Sequence, residues 1–346
     1  MIHRAFLIRV TICCLFLILA YDLSAQTQNV EQQLIAFYNV ENLFDTINNP
    51  ATADEDMLPL ADRAWSSERY GRKIDLLARV IADMQCCGQP PAIVALAEVE
   101  NRQVLESLTS HPNLCGAEYQ ICHLDSPDRR GIDVALLYRP ELFRVAGVKT
   151  FPIKIAHQRM FRTRDILAAW GEFCGEKFIF VMVHWPSRIG GVEATEPLRI
   201  ECAREVRRIV DSVASQSPNM KIVVMGDMND NPSNRSLRKI LRARRNVKGL
   251  QRGELYNPFA RKTAIGSSRY DGRWNHFDNI ILSANLVDDL SDGLKFNSKT
   301  PKKHSAYVFR RDYMCDVNGY PVPTYRGVEY VGGASDHLPV CLILER

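Results

Sequence analysis

Seven short apolar runs, most of them breaking off into charged or amide residues, constrain this chain of 346 residues more than any other feature. They are Leu34–Val40, Ile93–Ala97, Ile132–Tyr138, Phe178–Val183, Ile222–Met225, Phe277–Leu282 and Val340–Leu344. Each has four to seven residues, mostly β-branched or aromatic. That is too short for a core helix and fits strands buried on both faces. Helical patterns lie between some of them. Ser66 or Ser67 can cap a helix running to about Met84, with Tyr70, Ile74, Leu77, Ile81 and Met84 on one stripe. A second opens near Thr195 with Pro197 in its first turn and continues through Leu198, Cys202, Val206, Ile209 and Val213. No Pro/Gly/Ser linker divides these elements, which predicts one α/β domain over residues 26–346. The irregular stretches 46–65, 252–273 and 293–330 are active-site loops or plain surface insertions.

The first 25 residues differ in kind. Arg4 and Arg9 precede an apolar run from Val10 to Tyr21, and Leu23-Ser24-Ala25 closes the segment. A basic start, a greasy middle shorter than the ~20 residues of a membrane span, and a small terminal residue describe a secretory signal peptide. An uncleaved anchor is the alternative, and Ile12 ahead of Cys13 argues against lipidation. The expected mature chain is exported, periplasmic or secreted, with no stable membrane anchor. Its net charge of +3, against +4 for the whole chain, neither demands nor excludes a polyanionic ligand. Eight cysteines lie beyond residue 25 without a CxxC or a zinc-ligand spacing. In an exported protein some can pair, Cys115 and Cys122 closing the shortest loop, whereas Cys202 and Cys341 read as buried thiols.

The chemistry sits where each run ends. Leu34–Val40 holds Asn39 and leads into Glu41 and Asn42; Ile93–Ala97 ends at Glu98; Phe178–Val183 ends at His184. Ile222–Met225 ends in Gly226-Asp227-Met228-Asn229-Asp230, Asp278 begins a strand, and Ser335-Asp336-His337 precedes the last one. One acid or histidine at a strand end is usually a solvated turn or a cap. The same residue classes at so many ends point instead to a cleft at the rim of a sheet. Carboxylates and amides without thiolates suit a hard cation, Mg²⁺, Mn²⁺ or Ca²⁺. Histidines beside carboxylates suit proton transfer near neutral pH. There is no Walker A loop and no GxSxG, and Ser335 lacks a nucleophile elbow. Metal-assisted attack of water on a phosphate ester fits the set.

FYNVENLFD at 37–45, ALAEVEN at 95–101, RGIDVALLYRP at 130–140, HWPSR at 184–188, GDMND at 226–230, WNHFDNIILS at 274–283 and SDHLPV at 335–340 occur in order. Together they resemble the endonuclease/exonuclease/phosphatase superfamily, in its deoxyribonuclease-like, secreted bacterial form. The resemblance implies a four-layer α/β/β/α sandwich of two mixed sheets flanked by helices. It also implies Glu98 as the principal metal ligand, with Asn39 beside it and Asp336 from the other end of the chain. Asp227 would orient or deprotonate the attacking water, and Asn229 would hold a phosphoryl oxygen. His337 would contact the scissile phosphate, oriented by Asp278, and His184 would occupy a second histidine position. Asp133 would pair with His184 or sit on a surface edge. Arg188 would grip a substrate phosphate or fix its own loop, Glu41 would be a ligand or a solvated neighbour, and Asp230 a helix cap.

Substrate class rests on weaker signals. Arg235, Arg238, Lys239, Arg242, Arg244, Arg245, Lys248 and Arg252 come directly after the GDMND loop. They form a basic helix face for a nucleic-acid backbone or merely a solvated one. Arg162 and Arg164 are placed to line the same cleft. Trp65, Trp185, Trp274 and Tyr270 can stack on bases or pack locally. The favoured expectation is a monomeric nuclease without a protein partner. A phosphatase or phosphodiesterase acting on a phospholipid, sugar phosphate or other small ester is the alternative. A non-catalytic binding protein is disfavoured, because every expected catalytic position is filled.

Overall fold

A computed structural model describes residues 32–155, 161–260, 265–287, 293–299 and 305–346; the expected leader lies outside the described residues. The chain opens with β1 (Gln32–Leu43), α1 (Ser67–Asp83), β2 (Ile93–Val99) and α2 (Arg102–Thr109). Next are β3 (Gln120–His123), β4 (Asp133–Tyr138), β5 (Phe143–Phe151), β6 (Ile166–Phe173), β7 (Glu176–His184), α3 (Val192–Gln216) and β8 (Lys221–Asp227). Short strands β9 (Ala243–Arg244), β10 (Leu255–Tyr256), β11 (Ser268–Tyr270) and β12 (Arg273–Asn275) lead to β13 (Asp278–Ser283). Then come β14 (Ala306–Val308), β15 (Tyr325–Arg326), β16 (Glu329–Tyr330) and β17 (Val340–Glu345).

Two large mixed sheets result. One runs β14-β17-β1-β2-β4-β3 and the other β5-β6-β7-β8-β13-β10-β9. Their inner faces share one core, in which Ile35, Phe37, Ile93 and Ala95 meet Phe143, Phe180, Val223 and Ile280. The outer face of the first sheet packs Ala36, Tyr38 and Leu96 on Ile74, Leu77 and Ile81 of α1 and Leu105 of α2. The outer face of the second packs Val181, Val224 and Ile281 on Cys202, Val206 and Ile209 of α3. This is the expected α/β/β/α sandwich. The near-continuous apolar runs are explained by it, because central strands bury both faces.

The α1 cap is as expected, with Ser66 Oγ accepting from Arg69 N at 3.3 Å. Helix α3 starts at Val192, three residues before the expected Thr195, so Pro197 lies inside it. Arg199 holds that extra turn, donating to Val192 O at 3.1 Å and Thr195 Oγ1 at 2.8 Å. Strands β3 and β5 are not legible as apolar runs, β5 leaving much of its length exposed or half-exposed, whereas β6 opens on the buried apolar run Ile166–Ala169, which the expected strands leave out. The basic segment is not a helix face: it makes a single turn, Ser236–Ile240, and then β9. Several of its cations are engaged locally, Arg244 with Glu254 at 2.6 Å and Arg242 with Asp211 at 3.4 Å. Cys115 and Cys122 do not form a disulfide with each other; Cys202 and Cys341 are buried as expected.

Candidate active site

Strand register assembles the first half of the site. His184, Asp227 and Asp278 stand directly opposite one another across β7, β8 and β13. The first two strands approach closely at Gly226, where a Cβ would sit 1.9 Å from Val183 O, so only glycine fits beside Asp227. The other sheet supplies Asn39 from β1 and Glu98 from β2. Ladder register slips around both positions, and Glu98 has a left-handed backbone, φ +66°. A bulge of this kind re-aims one side chain out of the alternation, here toward the second sheet.

The two halves meet at Asp227, which is 2% exposed. Asn39 Nδ2 donates to Asp227 Oδ2 at 3.0 Å and to Glu98 Oε1 at 3.3 Å. Asn229 N donates to Asp227 Oδ1 at 2.8 Å, from a left-handed backbone at φ +47°. His184 Nε2 lies 3.7 Å from both Glu98 Oε1 and Asp227 Oδ2, and His337 Nε2 lies 3.8 Å from Asp227 Oδ2. His337 Nδ1 is bonded to Asp278 Oδ2 at 2.7 Å. Ser335 is buried; its hydroxyl donates to Asn39 O at 2.7 Å and accepts from His337 N at 3.0 Å, tying the last loop to the first strand.

Electrostatics separates the two histidines. Burial alone would lower His337, but Asp278 and Asp336 outweigh it and hold the imidazole well above its usual value, so it is charged near neutral pH. His184 goes the other way: burial, with Arg164 and Arg130 adding to it, pushes it well below its usual value and keeps it neutral. Burial and then the Asp278 charge push Asp227 up to about 7. A carboxylate so placed has a proton affinity matched to taking a proton from water.

Other expectations need correction. Asp133 has no ion pair with His184. Its Oδ1 accepts from Ser126 N at 3.0 Å, and its Oδ2 faces His123 Nε2 at 3.4 Å. Arg188 is buried and fixes its own loop, donating to Asn229 O at 2.7 Å, Asp230 Oδ1 at 2.9 Å and Asn234 Oδ1 at 3.2 Å. Asp230 is no simple cap: fully buried, it also takes Arg199 at 2.9 Å and the Ser236 hydroxyl at 2.6 Å. Glu41 is an anchor, its Oε2 accepting from Thr324 N at 2.8 Å and Asp336 N at 3.0 Å. Arg164 is spent on Asp128 and Trp185 O, while Arg162 lines a cavity of about 870 Å³ with Asn49, Asp125 and Asp133. Trp65 and Trp185 are buried and pack locally, Trp274 packs at a tilt against Tyr320 with ring centres 5.5 Å apart, and Tyr270 is exposed.

Two residues beside the site escape the sequence reading. Lys73 is fully buried and donates to Glu41 O, Thr324 Oγ1 and Ala334 O, fastening the Asp336 loop to β1. Its position next to Ile74 on the α1 stripe is the available signal. Arg130 donates to Asn42 Oδ1 at 3.2 Å, while Asn42 N donates to Glu98 Oε2 at 2.9 Å. It opens the RGID motif, whose strand pattern draws attention away from the arginine itself.

Residues 34–346 match the model of the Endonuclease/Exonuclease/phosphatase family. The chain belongs to this family. Its members are metal-dependent phosphoester hydrolases. No curated protein sequence matches the chain. Among solved structures, a humanized TDP2 of D. rerio is similar over 91% of this chain and 99% of its own, with 13% identity and a TM-score of 0.56. The mannosyl-6-phosphatase of Bacteroides thetaiotaomicron is similar over 90% and 99%, with 18% identity and a TM-score of 0.55. The human Nocturnin catalytic domain is similar over 90% and 94%, with 16% identity and a TM-score of 0.51. At these identities the likeness concerns the fold.

The donors present fit a divalent cation. The Glu98 carboxylate, with the Asn39 amide against it, is an anionic, oxygen-bearing pair of the kind such a cation takes, whereas Asp227, Asp278 and His337, though their ligand atoms lie within 4.8 Å of one another, include an imidazole held charged by Asp278. Glu98 Oε1 accepts from Asn39 Nδ2 at 3.3 Å and has the neutral His184 ring 3.7 Å away, so its charge is not balanced by a cationic side chain there. Neither observation selects among Mg²⁺, Mn²⁺ and Ca²⁺.

Proposed function

We propose that this chain hydrolyses phosphodiester bonds by attack of water at the Asp227 rim, with nucleic acid as the substrate class. The observation that carries the reading is the convergence on one nearly buried carboxylate, Asp227, of Asn39, Asn229, His184 and His337 from four separate chain segments. Asp227 would orient the water and take its proton. His337, held charged by Asp278, would stabilise negative charge developing on the phosphoryl oxygens, and Asn229 would position one of them. Neutral His184 would fix Glu98 and Asp227 relative to each other. Glu98, Asn39 and Asp336 would hold the divalent cation, which supplies charge neutralisation and a more acidic water. A TDP2 structure from D. rerio, complexed with a single-strand DNA product, supports the nucleic-acid choice by analogy of fold. The leader-like first 25 residues support export of the mature enzyme.

A second reading, a small sugar phosphate as substrate, is favoured by one feature. The 870 Å³ cavity lined by Asn49, Asn101, Asp125, Asp128 and Arg162 has the hydroxyl-binding groups a polyol needs. Residues 26–346 should therefore be assayed on plasmid DNA, RNA, bis(p-nitrophenyl) phosphate and hexose 6-phosphates, with Mg²⁺, Mn²⁺, Ca²⁺ or EDTA, beside Asp227→Ala. Metal-dependent cleavage of DNA or RNA, lost in the variant, is the expected result. Release of phosphate from the hexose esters alone would transfer the proposal to the second reading.

A further inference from the structure

The His123, Asp125 and Asp133 side chains form a group outside the Asp227 rim, with candidate ligand atoms all within 4.8 Å of one another. His123 lies on β3, Asp133 begins β4, and Asp125 lies on the loop joining them. The His123 side chain is only 3% exposed, and its Nε2 lies 3.4 Å from Asp133 Oδ2 without making a hydrogen bond. Its Nδ1 is 3.9 Å from Asp125 Oδ1, beyond hydrogen-bond reach. A buried imidazole nitrogen aimed at a buried carboxylate, yet bonded to nothing, costs about 1–3 kcal/mol unless something completes it. The surroundings add to the deficit: Ser126 Oγ and Asp165 Oδ1 are likewise buried without partners. Asp165 also feels the Asp133 charge, which assists burial in raising its carboxyl.

We propose that His123, Asp125 and Asp133 bind a second divalent ion of the Zn²⁺ or Mn²⁺ type, independent of the catalytic cation. One imidazole nitrogen with two carboxylates is a borderline donor set, suited to these ions rather than to Ca²⁺, which takes oxygens. Metal–ligand bonds of about 2.0–2.2 Å set neighbouring ligand atoms roughly 3–3.6 Å apart. The 3.4 Å between His123 Nε2 and Asp133 Oδ2 already meets that spacing. The Asp125 side chain, 87% exposed, is free to swing in from solvent and close the site.

The ion would clip together both ends of the loop between β3 and β4. That loop carries Arg130, which reaches Asn42 and through it Glu98, and it forms one wall of the 870 Å³ cavity. The second site thus braces the substrate side of the first without supplying a reacting group. It stands whether or not the nuclease reading holds, because it uses none of the residues placed at Asp227.

The test is stoichiometry, with no dependence on turnover. Zn²⁺ and Mn²⁺ binding to Glu98→Gln is measured by equilibrium dialysis and compared with Glu98→Gln combined with His123→Gln or with Asp125→Asn. The His123 double variant should bind one equivalent fewer than its parent. The Asp125 double variant should lose at least ~10-fold in affinity, as removal of one carboxylate ligand demands. Because Asp125 is exposed, its metal-free melting temperature should match the parent's, so lost binding cannot be attributed to misfolding. No bound ion in Glu98→Gln, or equal stoichiometry and affinity in all three proteins, would overturn the site.

Discussion

Along β7, Phe178 and Phe180 stack at 5.7 Å in the core between the sheets, while His184 at the end of the same strand faces Glu98 and Asp227. The same contrast repeats on its neighbours: Val223 and Met225 against Asp227, Ile280 and Leu282 against Asp278, Ile35 and Phe37 against Asn39. The middle of the sandwich is apolar and closely interlocked, with Phe143 edge-on to Phe180 at 5.1 Å and Phe173 edge-on to Phe178 at 5.2 Å. The rim is just as dry in places but is filled by charges and amides that restrain one another. On the proposed reading, stability resides mid-strand and chemistry at strand ends, and substitutions should separate the two.

The largest effects on folding should come where this separation is violated, at the buried Asp230 behind the rim. Asp230→Ala strands Arg188 and Arg199 without their shared carboxylate, and a cost of about 3–5 kcal/mol in urea unfolding is expected. Loss of activity should accompany it, since Arg188 also holds Asn229 O. Within the apolar middle, Phe180→Ala should also cost about 3–5 kcal/mol, but turnover per folded molecule should stay near that of the parent. A rate collapse without unfolding in that variant would break the comparison.

At the rim itself the signs reverse. Asp227→Ala and His337→Ala should each lower kcat at least ~10²-fold, equivalent to about 2.7 kcal/mol of barrier, with near-parental melting curves. Retained turnover in either would remove that residue from the chemistry. The smallest effect belongs to the periphery. Ser66→Ala deletes the α1 cap and should cost about 1 kcal/mol in thermal unfolding with no kinetic consequence.

How far the sequence reveals this plan depends on whether a residue's partner is nearby or distant in the chain. Central strands such as β2 and β8 announce themselves because both faces are buried, and their polar termini mark the rim. Edge strand β5 does not, since solvent on one side lets Arg144, Lys149 and Thr150 interrupt the pattern. Asn39, Glu98, His184, Asp227, Asn229, Asp278 and His337 are legible as a set, because strand ends converge whatever the loops do. The partners of Asp133 and the fate of Arg188 are not. Each of these side chains has a near and a far option, and only packing chooses between them. Lys73 is the hardest to foresee: a lysine on a helix stripe reads as solvated until the Thr324 and Ala334 loop closes over it.

Strands β1 and β17 are hydrogen-bonded partners, Gln32 opposite Glu345 and Phe37 opposite Val340, and Asn39 is roofed by the loop that carries His337. That pairing has a consequence in time. During synthesis Asn39 and Glu98 emerge early and Asp227 later, and the strand that pairs with β1 in the first sheet emerges only after all three. Contacts of such long sequence separation form slowly, after local hairpins have settled. A chain that stops ahead of Val340 would hold Asn39, Glu98, Asp227 and His337 together in sequence, yet lack the strand whose pairing with β1 sets His337 beside Asp227.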